Sequence, residues 1–443
     1  MTSNTLANSN RNTHPFFYML LIIPFGATGG FIGTTLGYLL SNKGGVSVAA
    51  VATLISVTTA PNSFKFLWAP IVDFTLTAKK WYLVSAVFTA IGIYLMGALP
   101  AKAESMVMLT ILGFATNFAN TLMSMSVESL MAYNTPTEDM GRTAGWYQAG
   151  NLGGAGLGAS LALWIAEHTT HTWLPGATLS VICMACAISL LWTVNPVIEE
   201  RVHKITTILI EMLKDIWKII SHNAGFLALM ICFLPIGSGG ASGVFPTINK
   251  EWQITDGVLV GTINGLFGGL LSALGSLIGG YICNRLDNKR AYSLFGFMMV
   301  ACALAMAWAP RTPAMYILFV LIYQFIIGLA YAAFTAVVLE VIGKGAAATK
   351  YNVFASLSNI PINYMGYLNG QAYGTCGKDA MLYGACGSIP MFYTDAGFGI
   401  AGLILFALLT YIAKRYGARI SIVLEKAGNH LHSYGMRFIR HYF

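Results

Sequence analysis

The chain has 443 residues, of which 56% are apolar and only 9% are charged, and its mean hydropathy is +0.66. Soluble proteins carry about a quarter charged residues, so this chain could not cover a water-facing surface of its size. The composition excludes a soluble enzyme and predicts an all-α membrane protein with many spans. The net charge of +8 is spread over predicted loops and one tail, which excludes nucleic acid as a partner.

Apolar segments of helix length follow one another along the chain. Their length suits a helix across a bilayer, which needs about 20 residues, whereas outer-membrane strands would alternate in polarity over about ten. We predict twelve transmembrane helices, at residues 15–40, 46–72, 81–99, 105–133, 143–167, 173–195, 224–248, 256–283, 291–309, 315–342, 347–373 and 396–413. The first segment is too long for the core of a signal peptide, so it is expected to stay in the mature protein.

The distribution of Lys and Arg predicts how these spans cross the membrane. If both termini face the cytoplasm, only five of the 25 basic residues lie outside, and these are Lys43, Lys102, Lys250, Arg311 and Lys378. The positive-inside rule therefore favours an N-in, C-in layout. The longest internal hydrophilic stretch, residues 196–223, carries a helical stripe of apolar side chains and divides the chain near its middle.

This division predicts two bundles of six helices joined by a linker. The predicted parts are a cytoplasmic N-terminus (1–14), an N-terminal six-helix bundle (15–195), a cytoplasmic amphipathic linker (196–223), a C-terminal six-helix bundle (224–413) and a basic cytoplasmic tail (414–443). Glu128 ends the fourth span much as Glu340 ends the tenth. Corresponding acids in corresponding spans indicate an internal repeat.

Two loops in corresponding places carry the residues of a known family. The second-half loop contains Gly280, Asn284, Arg285, Lys289 and Arg290. This loop resembles the signature of the major facilitator superfamily, with Asn284 in place of the usual acid. The first-half stretch FKFLWAPIVD, residues 64–73, resembles the corresponding segment of AmpG-type muropeptide permeases, of the acetyl-coenzyme A transporter family and of some siderophore permeases. Val127 and Met131 stand where AmpG-type proteins usually carry acids.

The resemblance implies a secondary active transporter that works by alternating access. It implies import of a bulky polar or anionic solute across a bacterial inner membrane, with protons as the coupled ion. Anhydro-muropeptide is the first candidate, and a ferric siderophore or an acetyl-coenzyme A-type thioester remain alternatives. The expected partners are the small-molecule substrate and the lipid bilayer, for a protein that acts as a monomer without cofactor or metal.

Two other classes of protein are alternatives to a transporter. A membrane-embedded enzyme would need a His, Asp or Cys–His constellation at one membrane face, and the eight His residues are scattered through the termini and loops. We therefore predict that the chain is not an enzyme. A membrane-embedded sensor or receptor would bind the same ligand without carrying it across, and this alternative stays open.

Lys65 is a basic residue that lies within the predicted second span. It either snorkels to the interface or pairs with Glu128, or it faces the central cavity and binds an anionic group. Neutral polar side chains in other spans fit a wet pathway for a polar solute. With Lys65, the predicted substrate-binding residues are Gln148, Asn151, Asn264, Tyr323, Gln324, Asn359, Asn363 and Tyr364.

Charged residues near the ends of spans form the predicted gates. The resemblance implies that one gate consists of Asp73, Lys79, Glu128 and Arg142, and that the other consists of Arg285 and Glu340. Glu128 has the alternative role of carrying a proton, because a desolvated carboxyl group can titrate near neutral pH. No acid lies near the middle of any predicted span.

The spacing of glycines and the position of two cysteines give further structural predictions. Glycines recur every fourth residue in three spans, at Gly29, Gly33 and Gly37, at Gly150, Gly154 and Gly158, and at Gly261, Gly265 and Gly269. Such spacing predicts close helix packing, and the resemblance places the fifth and eighth spans against each other between the halves. Cys376 and Cys386 share the last predicted external loop, where we expect a disulfide.

Overall fold

A computed structural model describes residues 13–46, 48–69, 72, 75–194, 223–342, 347–374, 387–412 and 414–415. These residues are almost entirely helical, and none of them lies in a strand. Among the predictions that lie outside the described residues are Asp73, Cys376, Cys386, the helix of the linker and nearly all of the basic tail.

The described residues of the first half form six long helices. In chain order they are α1 (Pro15–Leu36), α2 (Val48–Phe64), α3 (Ala78–Ala98), α4 (Met106–Asn134), α5 (Met140–His168) and α6 (Leu174–Trp192). The local sequence explains where several of these helices begin. Pro15 begins α1, where its missing N–H has no intrahelical partner to lose. The Thr77 side chain caps α3 by accepting from the backbone N–H of Lys80.

The second half begins with helices that are less regular. In chain order the elements are α7 (Asn223–Ile231), α8 (Leu259–Cys283), α9 (Asn288–Trp308), α10 (Pro313–Ile342), α11 (Ala347–Leu357), α12 (Asn359–Gly374) and α13 (Ser388–Ile412). Asp287 caps α9 by accepting from the backbone N–H groups of Lys289 and Arg290.

Eight helices within the described residues are long and apolar enough to cross a membrane. They are α1, α3, α4, α6, α8, α9, α10 and α13. The other predicted spans contain helices that are too short, too polar or too interrupted to meet this criterion of length and hydropathy. Helix α5 has 29 residues yet is rich in glycine and polar residues, and the predicted seventh and eleventh spans are each interrupted. The structure therefore shows an all-helical membrane protein, whereas twelve spans and the N-in, C-in layout stay predictions.

Glycines bring α1 and α5 into backbone contact. A methyl group added at Gly30 would collide with the carbonyl oxygen of Ala155, and one added at Gly158 would collide with that of Ala27. The glycines predicted to pack closely in α1 do not lie on its packed face, because an added methyl group at Gly29 or Gly33 would meet nothing within 4 Å. The face that packs carries Gly26 and Gly30 instead.

The two halves meet where α5 runs along α8. An added Cβ at Gly156 would lie 3.0 Å from the Cα of Gly269, and one at Gly145 would lie 2.6 Å from the carbonyl oxygen of Ser276. The predicted pairing of the fifth and eighth spans is therefore present. However, Gly150, Gly154 and Gly158 face α1 within the first half rather than α8.

The chain is not helical immediately after α7. Helix α7 ends at Ile231, ahead of Pro235, and Gly237 and Gly239 both have positive φ, at 61° and 69°, which glycine adopts without strain. Tyrosines of three other helices satisfy carbonyl oxygens that the break leaves without helical partners. The hydroxyl of Tyr364 donates to Phe233 at 2.9 Å, that of Tyr292 to Ile236 at 2.6 Å, and that of Tyr331 to Ser238 at 3.4 Å.

The last helix begins earlier than predicted. It starts at Ser388 rather than at residue 396, so it includes Asp395. The carboxylate of Glu251 accepts from the backbone N–H of Ser388 at 3.1 Å and so satisfies a donor at the start of the helix. An acid therefore lies inside this helix, whereas the predicted span, which begins at residue 396, leaves Asp395 outside.

Candidate functional site

A cavity of about 240 Å³ lies between the two halves. Its lining is mostly apolar and aromatic, with a few convergent polar groups, as is usual for ligand sites. The first half contributes Phe25, Asn62, Lys65, Glu128, Tyr147, Gln148 and Asn151, and the second half contributes Ile236, Ser238, Tyr292, Tyr331, Phe334, Tyr351, Ser358 and Asn359 among others.

The charged centre of the cavity is a salt bridge between Lys65 and Glu128. The Lys65 Nζ lies 3.2 Å from the Glu128 Oε1. Lys65 is placed by a tight 3-10 turn, Lys65–Leu67, that follows α2, and the indole of Trp68 holds this turn to α4 by donating to Thr121 at 3.0 Å. Both charges are nearly dehydrated, since Lys65 is 6% and Glu128 is 1% exposed.

Glu128 has further hydrogen bonds from both halves of the protein. The hydroxyl of Tyr147 donates to Oε1 at 2.7 Å, and the amide Nδ2 of Asn352 donates to Oε2 at 2.7 Å. Asn352 lies on α11, so this bond joins the two bundles. A buried carboxylate needs such partners, because an unpaired charge in a dry site is strongly destabilising. The bond between Asn352 and Glu128 therefore serves two purposes, because it satisfies the buried carboxylate and also joins the two halves.

A second hydrogen bond between the halves lies beside the first. Gln148 of α5 donates from Nε2 to the hydroxyl of Thr335 on α10 at 2.7 Å, and Asn151 donates to the Oε1 of Gln148 at 3.1 Å. A third lies at the start of α5, where the backbone N–H of Arg142 donates to the Oδ1 of Asn284 at 2.7 Å. Opening the cavity at this end must break all three.

Replacing Gln148 by leucine is expected to weaken the contact between the halves. A neutral hydrogen bond contributes about 0.5–1.5 kcal/mol, which corresponds to a population shift of roughly two- to tenfold. The contact is measured as the rate of oxidative cross-linking between Arg142→Cys and Asn284→Cys, located by mass spectrometry. We expect that rate to fall by this factor in the Gln148→Leu background.

The control for this prediction is Asn264→Leu. Asn264 donates to the Tyr316 hydroxyl at 3.2 Å within the second half alone, so its loss should leave the cross-linking rate unchanged. Equal rates in the two backgrounds would show that the Gln148–Thr335 bond does not hold the halves together.

The predicted substrate-binding residues fall into two groups. Lys65, Gln148, Asn151 and Asn359 line the cavity. The others have different surroundings: Asn264 donates to Tyr316, Tyr323 to Asp395 and Tyr364 to Phe233, Gln324 accepts from Ser272, and Asn363 is exposed. The structure thus brings together the predicted residues near the Glu128 carboxylate and places the rest away from it.

The predicted gate residues are also dispersed. Lys79 donates to the carbonyl oxygens of Leu190 and Thr193 at 2.8 and 2.5 Å. The Arg142 guanidinium lies 2.7 Å from the Nε2 of His14, the Arg285 guanidinium lies over the Tyr281 ring, and Glu340 accepts from Asn288 at 2.9 Å. Within the described residues, Glu128 pairs with Lys65 rather than with Lys79 or Arg142.

Several residues in or beside the cavity escaped the sequence prediction. Tyr147 lines the cavity, Thr335 and Asn352 complete the polar cluster beside it, and Asn62 is a lining residue whose Oδ1 is buried without a hydrogen-bond partner. Each is a common neutral residue, and Asn352 lies 224 positions from its partner Glu128.

The cavity is smaller than the sites that hold whole drug-sized ligands. Such sites measure about 300–1,000 Å³, against about 240 Å³ here. A bulky solute therefore fits only if the halves separate further. Among the described residues that line the cavity, Lys65 is the one with a cationic side chain, and it is the group best suited to contact an anionic solute.

Comparison with known proteins identifies the family. The sequence pattern of the Major Facilitator Superfamily matches residues 17–362. The chain belongs to this superfamily of membrane transporters. The crystal structure of the human organic anion transporter MFSD10 (TETRAN) has the same fold, with a TM-score of 0.64, 12% identity and coverage of 88% of this chain and 98% of that one.

Within the superfamily, the chain resembles AmpG-type permeases. It is 24% identical over 320 residues to the anhydromuropeptide permease of Escherichia coli K12, covering 69% of this chain and 64% of that protein's length. It is 22% identical over 370 residues to the putative transporter AmpG 4 of Rickettsia conorii, covering 79% of this chain and 87% of that protein. The superfamily and these relatives are transporters, which is consistent with the prediction that the chain is not an enzyme.

Proposed function

We propose that the protein imports a bulky anionic solute across a bacterial inner membrane by alternating access, and that anhydro-muropeptide is the first candidate. The single observation that carries this proposal is the Lys65–Glu128 pair, which lies in a cavity between the halves and is hydrogen-bonded to both. The anhydromuropeptide permease of Escherichia coli named above supports this candidate substrate.

Exchange of partners at Lys65 provides the transport step. An anionic group of the solute takes the place of Glu128 beside the Lys65 Nζ, because a compact cation binds either carboxylate. Glu128 then keeps only neutral partners in a dehydrated site, where the charged carboxylate is costly. It takes up a proton, and its bond to Asn352 weakens because a neutral acceptor binds less strongly than a carboxylate. The halves are then freer to separate.

A thermal-unfolding screen of the purified full chain tests the substrate class. A ligand that binds only the folded protein stabilises it by about 2.7 kcal/mol when its concentration is a hundred times its dissociation constant. We expect anhydro-muropeptide to raise the unfolding temperature. A ferric siderophore and a coenzyme A thioester are measured alongside, and a muropeptide with amidated carboxyl groups is the matched control.

Each outcome of the screen distinguishes a different alternative. Stabilisation by the siderophore or the thioester alone would identify that ligand as the substrate, and the proposed anion-binding site would still stand. Stabilisation by the amidated control equal to that of the natural ligand would exclude the anionic contact. Binding without proton-driven accumulation in proteoliposomes would indicate a sensor or receptor. No stabilisation by any ligand would overturn the proposed substrate class.

A further inference from the structure

A second carboxyl group, besides that of Glu128, is buried within a candidate membrane-spanning helix and away from the cavity. Asp395 of α13 is 7% exposed, and its carboxylate accepts from the Tyr323 hydroxyl at 2.8 Å and from the Asn369 Nδ2 at 3.0 Å. Neither side chain is part of the cavity lining. The described structure has no Lys, Arg or His within ion-pair distance of this carboxylate.

The surroundings of Asp395 are apolar apart from these two donors. Tyr323 belongs to a buried cluster that includes Phe245, Met299, Cys302 and Phe392. Of the groups that face Asp395, Tyr323 on α10 and Cys302 on α9 are titratable. An ionised carboxylate with only two neutral donors is costly at this depth, whereas a protonated carboxyl group is not.

The charged residues at the nearby end of the bundle have other partners. The Arg311 guanidinium lies 4.5 Å from the Trp252 ring centre and donates to the carbonyl oxygens of Met306 and Ala309. Glu251 accepts from the start of α13. Arg311 therefore has other partners and Glu251 is itself an acid, so neither residue neutralises Asp395.

The partners of Asp395 are able to serve it in either protonation state. A tyrosine hydroxyl donates to a carboxylate, and its oxygen accepts from a protonated carboxyl group. The Asn369 side chain is fully buried, and its Oδ1 has no hydrogen-bond partner. Rotation of that amide would present the unused Oδ1 to a protonated Asp395 without movement of the backbone. The orphaned acceptor is what this second state requires.

We propose that Asp395 is a proton-binding site of the C-terminal half, distinct from the Lys65–Glu128 pair. A metal cation is a poorer occupant, because both neighbours present N–H or O–H donors and hard cations need about six oxygen ligands. The ring of Tyr323 meets Phe245 edge-on, with ring centres 5.0 Å apart, and Phe245 follows the break after α7. Tyr323 therefore connects Asp395 to the short helix Phe245–Ile248 that follows the break.

Infrared difference spectroscopy on the full chain in lipid tests this site. Stepping the pH should reveal a protonated-carboxyl stretching band that shrinks as the pH rises. We expect Asp395→Asn to abolish this band and Glu128→Gln, the matched control, to retain it. An identical titration in wild-type protein and Asp395→Asn would overturn the proposal.

Chemical labelling of wild-type protein covers the case in which Asp395→Asn does not fold. A hydrophobic carbodiimide reacts with protonated carboxyl groups in apolar surroundings, and peptide mass spectrometry locates the adduct. We expect several-fold more adduct on Asp395 at acidic than at alkaline pH. Equal labelling at both, or none at either, would show that the group does not exchange protons. These readouts involve no solute, so they succeed or fail independently of the proposed function.

Discussion

Replacing Lys65 by alanine is expected to abolish both the stabilisation by an anionic ligand and its uptake. Hydrogen bonds to charged groups contribute about 1.5–3 kcal/mol, which corresponds to a loss of affinity of roughly ten- to more than a hundredfold. The single variant also leaves Glu128 without its cation, which costs about 3–5 kcal/mol of stability for a buried pair. A lower unfolding temperature in the absence of ligand is therefore part of the expected result.

A double variant separates ligand binding from stability. Lys65→Ala with Glu128→Gln removes both charges, so most of the lost stability should return while ligand binding stays absent. Lys80→Ala, at an exposed position next to the start of α3, should behave like wild-type protein in both measurements. If ligand stabilisation returned in the double variant, the effect of Lys65→Ala would be structural and Lys65 would not be the anion contact.

Gly30→Ala is expected to destabilise the first half markedly. The added methyl group would collide with the Ala155 carbonyl oxygen, and this backbone atom is held in α5 and cannot turn away. Overpacking of this kind costs about 1–3 kcal/mol. Thermal unfolding in detergent should show a clearly lower midpoint for this variant than for wild-type protein.

The neighbouring glycine supplies the control. Gly29 is exposed, and a methyl group there would meet nothing within 4 Å. Because alanine is the better helix former by about 0.8–1 kcal/mol, Gly29→Ala should leave the midpoint unchanged or raise it slightly. Similar midpoints for the two variants would mean that α1 and α5 are not in backbone contact.

The sequence predicts the class of fold and marks Lys65 as a candidate site residue, for identifiable reasons, but it leaves the pairing of Lys65 with Glu128 as one of several alternatives. Hydropathy reports helix length directly, because a bilayer requires it, and an ionisable residue such as Lys65 within an apolar span is rare enough to be noticed. The glycines that recur every fourth residue are recognisable as packing motifs. The sequence does not show which helix each motif packs against, because Gly26 and Gly30 have the same spacing as Gly29 and Gly33 and only the neighbouring helix decides which face is used.

Other features depend on contacts between distant parts of the chain. Helix α13 begins at Ser388 with help from Glu251, which lies 137 positions earlier, so local patterning placed the start too late and left Asp395 outside the span. Asn352 is likewise unremarkable until α11 brings it to Glu128. Pairings of this kind arise from the packing of helices, and a single sequence does not encode them in its periodicity.

The tyrosines around the break after α7 also bear on the rate of any motion there. Each hydroxyl bond to a carbonyl oxygen of the broken segment contributes about 0.5–1.5 kcal/mol, and three such bonds, from Tyr292, Tyr331 and Tyr364, come from three different helices. Breaking all three together would slow the motion by roughly ten- to a thousandfold. Releasing them one after another would slow each step by tenfold or less, so a fast carrier should move this segment in stages.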